Sequence, residues 1–147
     1  VIGLVEIKRY PLYYAGRRMH WAKGAVAGGF VFLAGTEGLD PETLKPVEGI
    51  KAQTRLALEK IKQRLEEMGS SLSNIVKLTY YIVGDFPEGI VSSQKYQEMA
   101  EARDEFFREK RHRPIRHTLR SNRGNSARSE GHGDRDRSHS RTPLIPT

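Results

Sequence analysis

From Gly28 to Phe86 the chain reads GGFVFLAGTEGLDPETLKPVEGIKAQTRLALEKIKQRLEEMGSSLSNIVKLTYYIVGDF, which spells strand, loop, long amphipathic helix, glycine stop and strand without a break. That order points to a mixed α/β fold. The continuous apolar run Phe30 to Ala34 predicts a strand buried on both faces. The Gly28–Gly29 pair joins it to Ala22–Ala27 as a hairpin. Asp40, Pro41 and Thr43 make a turn. After Val47, Ile50, Thr54, Ala57, Ile61, Leu65 and Met68 recur every three to four residues, with Leu58 beside the stripe and Arg55, Glu59, Lys62 and Glu66 opposite. A stripe that wide needs a sheet to lie on, and Gly69 supplies the left-handed stop.

The flanks agree with this reading. Leu4 to Tyr10 predicts a short strand ending at Pro11, and Ile75 to Val83, β-branched and aromatic, predicts a central strand. Ser92 to Lys110 returns to helix, with Tyr96, Met99, Ala102, Phe106 and Phe107 on one side. The expectation is an α/β (α+β) domain: a single small sheet with two helices packed on one face. Such a domain is incomplete at Lys110, because a crossover helix normally delivers another strand to the sheet.

At Lys110 the chain changes character. The remainder, RHRPIRHTLRSNRGNSARSEGHGDRDRSHSRTPLIPT, is dense in Arg, His, Ser and Asp and has little apolar periodicity. We therefore divide the 147 residues into a domain at 1–110 and a basic, low-complexity tail at 111–147, expected to be irregular or disordered because it lacks the apolar surface to offset chain entropy. The formal charge of +7 divides the same way: residues 1–110 hold 16 basic and 15 acidic side chains, and 111–147 hold 9 and 3. A near-neutral folded part argues against a nucleic-acid face, leaving RNA contact through the tail as a lesser alternative. With no cysteine, disulfide frameworks, thiolate zinc sites and Cys nucleophiles are excluded, which accords with a cytoplasmic setting. The histidines lack ligand spacing with carboxylates, so no metal is expected. VIGLV at the start is too short for a membrane span.

Four segments, GGFVFLAGTEG, LDPETLKPVEGI, QTRLALEKIKQRLEEMGSSLSNIVKLT and the helix end DEFF, together resemble the Rid (YjgF) family of enamine/imine deaminases over about Leu4 to Lys110. The resemblance implies the chorismate-mutase-like Rid fold, assembly as a homotrimer with clefts between subunits, and water attack on a short-lived 2-imino or enamino acid, releasing ammonium and a 2-keto acid. No metal or cofactor is implied. An arginine fork would hold the substrate carboxylate, backbone near the strand-end glycine would orient the imine, and a carboxylate-held water would add to carbon. Gly35 matches the loop glycine, although the family's Ser-Gly-Gln is here Ala34, Gly35, Thr36. Trp21, in RMHWAKG, falls where the family has a pocket tyrosine. Substrate-binding candidates are thus Trp21, Gly35 and Thr36. Arg116, in Pro114-Ile115-Arg116, is the catalytic candidate on a Pro-x-Arg match.

The family's closing strand, of the form IEIEAIA, is not visible after Arg116. Read one nucleotide out of frame, the codons for Gly133 to Ser140 are compatible with AIEIEAIA, and carrying the shift back to Pro114 yields PYATPYARTAVTLLGPKGTAIEIEAIAAL. On this frame-shift reading the family arginine lies opposite Ser121 and Asn122, and the Arg116 match is accidental. Two functional classes follow for the domain: a Rid-like deaminase, impaired if its closing elements are lost, or a non-catalytic trimeric module that binds small acids or a protein partner.

Overall fold

A computed structural model describes residues 4–111 and 117–122. Five strands and two long helices follow one another as β1 (Ile7–Tyr14), β2 (Arg17–Ala27), β3 (Phe30–Leu33), α1 (Ile50–Glu67), β4 (Leu78–Val83), α2 (Gln94–Glu109) and β5 (His117–Asn122). The α/β class and its two helices are as the sequence predicts. Hydrogen bonding divides the strands into two ladders, an antiparallel β1-β2-β3 sheet and a parallel β4-β5 pair. No helix among the described residues is long and apolar enough to cross a membrane.

The core forms where the apolar stripe of α1 meets α2 and the strands. Phe106 and Leu58 are fully buried, and Leu65, Leu72, Ile75 and Phe107 complete the cluster, with Val31, Leu33, Ile61 and Leu78 packed against it. Phe106 and Phe107 meet edge to face, their centroids 5.5 Å apart. Along the outer seam of the helices, Lys51 pairs with Glu101 at 2.5 Å, Arg55 with Glu109 at 2.8 Å and Glu59 with Lys110 at 3.1 Å. The partners advance together in sequence, so α1 and α2 run parallel. These exposed pairs set alignment more than stability, since each contributes only about 0–1 kcal/mol. Ser93 caps α2 by accepting the Tyr96 N–H at 3.2 Å.

Three expectations are corrected. First, β1 does not stop at Pro11 but continues to Tyr14, because register shifts around Tyr10, Pro11 and Tyr13 absorb the missing N–H on an edge strand. β2 correspondingly begins at Arg17, and a second hairpin turns at Ala15–Gly16. Second, β3 is not covered on both faces. Val31 and Leu33 face the core, whereas Phe30 and Phe32 are each 60% exposed on the face away from the helices. Third, the chain after Lys110 does supply a strand. His117–Asn122 pairs in parallel with β4, Leu78 opposite His117 through Val83 opposite Asn122. Backbone hydrogen bonds to a free strand edge need no apolar pattern, and α2 is the crossover that a parallel partner requires. The structured part therefore extends past 110 to include 117–122. Arg116, the expected disorder of 123–147 and the frame-shifted stretch around Gly133–Ser140 lie outside the described residues.

In the Ala15–Gly16 turn both central residues have positive φ, 46° and 73°, as a two-residue hairpin turn matching strand twist requires. Alanine is strained there by about 1 kcal/mol. Replacing Ala15→Asn, which tolerates that conformation, is expected to stabilise the chain by about 0.5–1 kcal/mol. Urea unfolding checks this: the midpoint should rise with an unchanged slope, and a lowered midpoint refutes the assignment of strain.

Candidate functional site

The region of interest is the loop leaving β3. The Ala34 N–H donates to Lys23 O at 3.0 Å, one step beyond the β2–β3 ladder, so the chain leaves the sheet heading toward the Ala22–Trp21 stretch of β2. Trp21, Gly35 and Thr36, chosen on sequence, therefore lie at the same end of the three-stranded sheet. Trp21 is 46% exposed, with its ring edge-on to His20 at 4.4 Å. Gly35 is exposed, and a Cβ built on it meets nothing within 4 Å, so the backbone here is open to an approaching small molecule.

From below, α1 fastens the loop. Arg64 Nη1 donates to Thr36 Oγ1 at 2.7 Å, and that hydroxyl donates in turn to Ala34 O at 3.2 Å. One helical turn earlier, Lys60 Nζ donates to Leu39 O and, at 3.3 Å, to Glu37 O. Gln53 Nε2 donates to Val47 O at 2.8 Å, while Gly38 lies so close to Gln53 that a Cβ would sit 2.4 Å from its Cα. Lys23, on β2, reaches Glu67 at the end of α1 at 2.6 Å. Side chains of one helix thus hold the backbone of residues 36–47 in place.

Electrostatically the site is cationic beneath the loop. Arg64 is the buried charged residue among those described, 8% exposed. Burial, and then the nearby Arg64 guanidinium, lower the Lys60 ammonium from its ordinary range, against the opposing pull of Glu37 and Asp40. Neither cation forms an ion pair among the described residues.

At the far side of the loop Asp40 organises its own turn. Its Oδ1 accepts from the Thr43 N–H at 2.8 Å, the Thr43 hydroxyl at 3.0 Å and the Glu42 N–H at 3.0 Å. This is the side-chain-to-backbone pattern expected of Asp in a turn.

Trp21, Gly35 and Thr36, the substrate-binding candidates from the sequence, lie toward one end of the sheet, whereas Lys60 and Arg64, which bond to the loop from α1, are not among the candidates the sequence suggests. The signal was present. Arg64 falls three residues after Ile61 and four before Met68, on the apolar stripe itself, where a cation has to find a polar partner inside.

A family model described as Endoribonuclease L-PSP matches residues 16–123. A RutC family protein of Aquifex aeolicus is 32% identical over 99 residues, covering 67% of this chain and 73% of that protein. Another, from Pyrococcus abyssi, is 44% identical over 63 residues, covering 42% of this chain and half of the relative. The solved structure of Escherichia coli TdcF with bound serine is similar in fold, with a TM-score of 0.64 at 22% identity over 78% of this chain and 85% of that one. RidA from an Antarctic Psychrobacter has a TM-score of 0.55, also at 22% identity, covering 76% of this chain and 78% of its own.

The Asp40 turn makes a pH prediction. The Thr43 N–H, followed by the Thr43 hydroxyl, lowers the Asp40 carboxyl from its ordinary value of 3.8. A group depressed in the folded state stabilises fully above its unfolded value, and that contribution is lost as pH falls through the folded one. The Asp40 contribution to the turn should therefore be complete above pH 3.8 and be lost as pH falls below it. Carboxyl NMR titration should give an Asp40 midpoint beneath 3.8, and a midpoint at or above it refutes the turn's geometry.

Proposed function

The chain belongs to the Endoribonuclease L-PSP family, and on that premise we propose that it is a Rid-like hydrolase acting on small 2-imino or enamino acids. The observation that carries this reading is the β3-end loop, open at Gly35 and fixed from beneath by the α1 cations. Imine hydrolysis asks for that combination. Water adds to the C=N carbon to give a carbinolamine, a proton moves to nitrogen, and the C–N bond breaks to leave a 2-keto acid and ammonia, which leaves as ammonium. The acceleration comes from orientation and from stabilising charge on a held substrate, both of which need a rigid, pre-arranged loop.

The same reading includes a homotrimer. Phe30 and Phe32 on β3 and Tyr81 and Val83 on β4 are each about 60% or more exposed. On β3 the exposed aromatics alternate with core-facing Val31 and Leu33, so they form an apolar sheet face that a neighbouring subunit would cover. The non-catalytic alternative, a trimer that only binds small acids, uses the same surface and loop. Generating 2-iminopropionate in situ separates the two: the full chain should accelerate ammonium release, and Gly35→Val, which fills the open side of the loop, should reduce it at least ~ten-fold. Binding of pyruvate without turnover would instead establish the binding module.

One separate observation favours a second reading, binding of single-stranded RNA. Between Ile7 and Thr36 there is no acidic residue, while Lys8, Arg9, Arg17 and Arg18 are exposed and take no part in an ion pair among the described residues. Tyr13, 54% exposed, lies opposite Arg18 in the hairpin, an arrangement of cation and aromatic suited to phosphate and base. The near-neutral total of the folded part hides this segregation. If the hairpin binds a fluorescent oligouridylate, affinity should fall with salt by roughly 0.7 log units per log unit for each phosphate contact. The Arg17→Gln/Arg18→Gln double variant should then flatten that slope by about 1.4. An unchanged slope removes the hairpin from consideration.

A further inference from the structure

Val31 and Leu33 from β3 and Leu78 from β4 reach one core cluster, so the two strands flank the same stretch of core. Yet among the described residues β3 pairs with β2 alone and β4 with β5 alone. Strands lying next to each other at the usual spacing of about 4.8 Å would share a ladder, and these do not. Both crossover helices lie on one face, and crossovers of one hand step the same way across a sheet, which puts β5 on the side of β4 away from β3. The edges of β3 and β4 that have no strand beside them therefore face one another across a slot. Its surroundings show the same gap. Leu58 and Phe106 are fully buried, whereas the apolar side chains the cluster leaves only partly covered are Val31, Leu33, Ile61 and Leu78: one wall, the floor on α1, and the other wall.

We propose that this slot is a docking site for one extended peptide segment of a second polypeptide, which pairs through its backbone with β3 and β4 and lays alternate apolar side chains onto Ile61, Val31, Leu33 and Leu78. Only an extended backbone offers N–H and C=O groups to both edges at once. Every second side chain would meet the apolar floor, and those between would point outward and can be polar. Residues 123–147 contain no such segment. Their apolar side chains are Ala127, Leu144 and Ile145, and the last two lie between Pro143 and Pro146, which have no N–H to give a ladder. The other apolar run, VIGLV at Val1–Val5, has Gly3 at its centre, and its Val5 lies at the β2–β3 turn, where a Cβ built on Gly28 would be 3.9 Å from Val5 Cγ1. The docking site is independent of the β3-end loop and of the function proposed for it.

The test uses the full chain and the fluorescein-labelled peptide ETIEITITE, whose isoleucines share one face of a strand. Binding should raise the melting temperature and shift the amide resonances of Val31, Phe32 and Leu33 together with those of Leu78 to Val83. The amides of Tyr13 and Tyr14, on β1 at the opposite edge of the three-stranded sheet, should stay in place. The peptide ETIPIPITE keeps the isoleucines but loses two backbone N–H groups, and should bind at least ~ten-fold more weakly. Ile61→Asn puts a polar group under the docked strand and should weaken binding of ETIEITITE about ten-fold. Should that variant fail to fold, the pair of peptides decides without it. Equal binding of the two peptides overturns the proposal, because apolar adsorption needs no ladder. Amide shifts confined to one of the two strands overturn it as well, and so does the absence of binding. Insertion of the VIGLV run of a second copy gives a different pattern: the full chain self-associates and ignores the peptide, and removing residues 1–5 restores peptide binding. That pattern overturns the separate polypeptide as the occupant.

Discussion

Everything else in this protein depends on the contact between the apolar stripe of α1 and the ring pair at the end of α2. Leu58 and Phe106 are fully buried there, and Val31, Leu33 and Leu78 reach the same cluster from two different ladders. Full burial of side chains of this kind is worth about 1.5–3 kcal/mol each, enough to fix the helix against the strands. Once α1 is fixed relative to β3, the positions of its polar side chains are no longer free. Residues 60 and 64 come to lie under the loop that follows Leu33, and the bonds from Lys60 and Arg64 to that loop follow from where the core has put the helix.

The loop is thus rigid for a reason that lies in the core, and open at Gly35 for a reason that lies in its own sequence. Residues 36–47 owe their order to donors on α1 and to the Asp40 turn, which satisfy backbone carbonyls and N–H groups that a surface loop would otherwise give to water. The arrangement carries a charge imbalance. Cations gather beneath the loop and along the β1–β2 hairpin, while most acids of the folded part sit on the two helices and their connections. A single net charge for residues 1–110 averages these regions and conceals both.

How far the sequence revealed this varies from element to element. Both helices stood out because a period of 3.6 residues over about twenty positions is hard to mistake, and they begin and end within two residues of expectation. Strand ends were harder. Pro11 looked like a terminus because it has no N–H, yet a register shift on an edge strand removes the need for one. Strand β5 was hidden because His117–Asn122 contributes a backbone to an open edge, and backbone hydrogen bonding leaves no mark in side-chain composition. Phe30 and Phe32 misled in the opposite sense. An apolar run does not say whether its second face is covered by the same chain or by another molecule. At the candidate site, Gly35, Thr36 and Trp21 stand out in the sequence only through family-like motifs. Arg64 was overlooked because it looks like one more charge on a charged helix until the wheel position is worked out.

By itself the sequence determined the two helices and the presence of strands β1 to β4, where α1 stops, and that the chain changes character after Lys110. Those properties are set by neighbours a few residues away, through side-chain period, turn chemistry and local conformational preference. Tertiary structure alone decided that a guanidinium on α1 would meet a hydroxyl twenty-eight residues earlier, that β4 would take β5 as its partner, and that one face of β3 would stay bare. Each is a meeting of groups distant in sequence, fixed by how helices pack on strands. No local pattern encodes that distance.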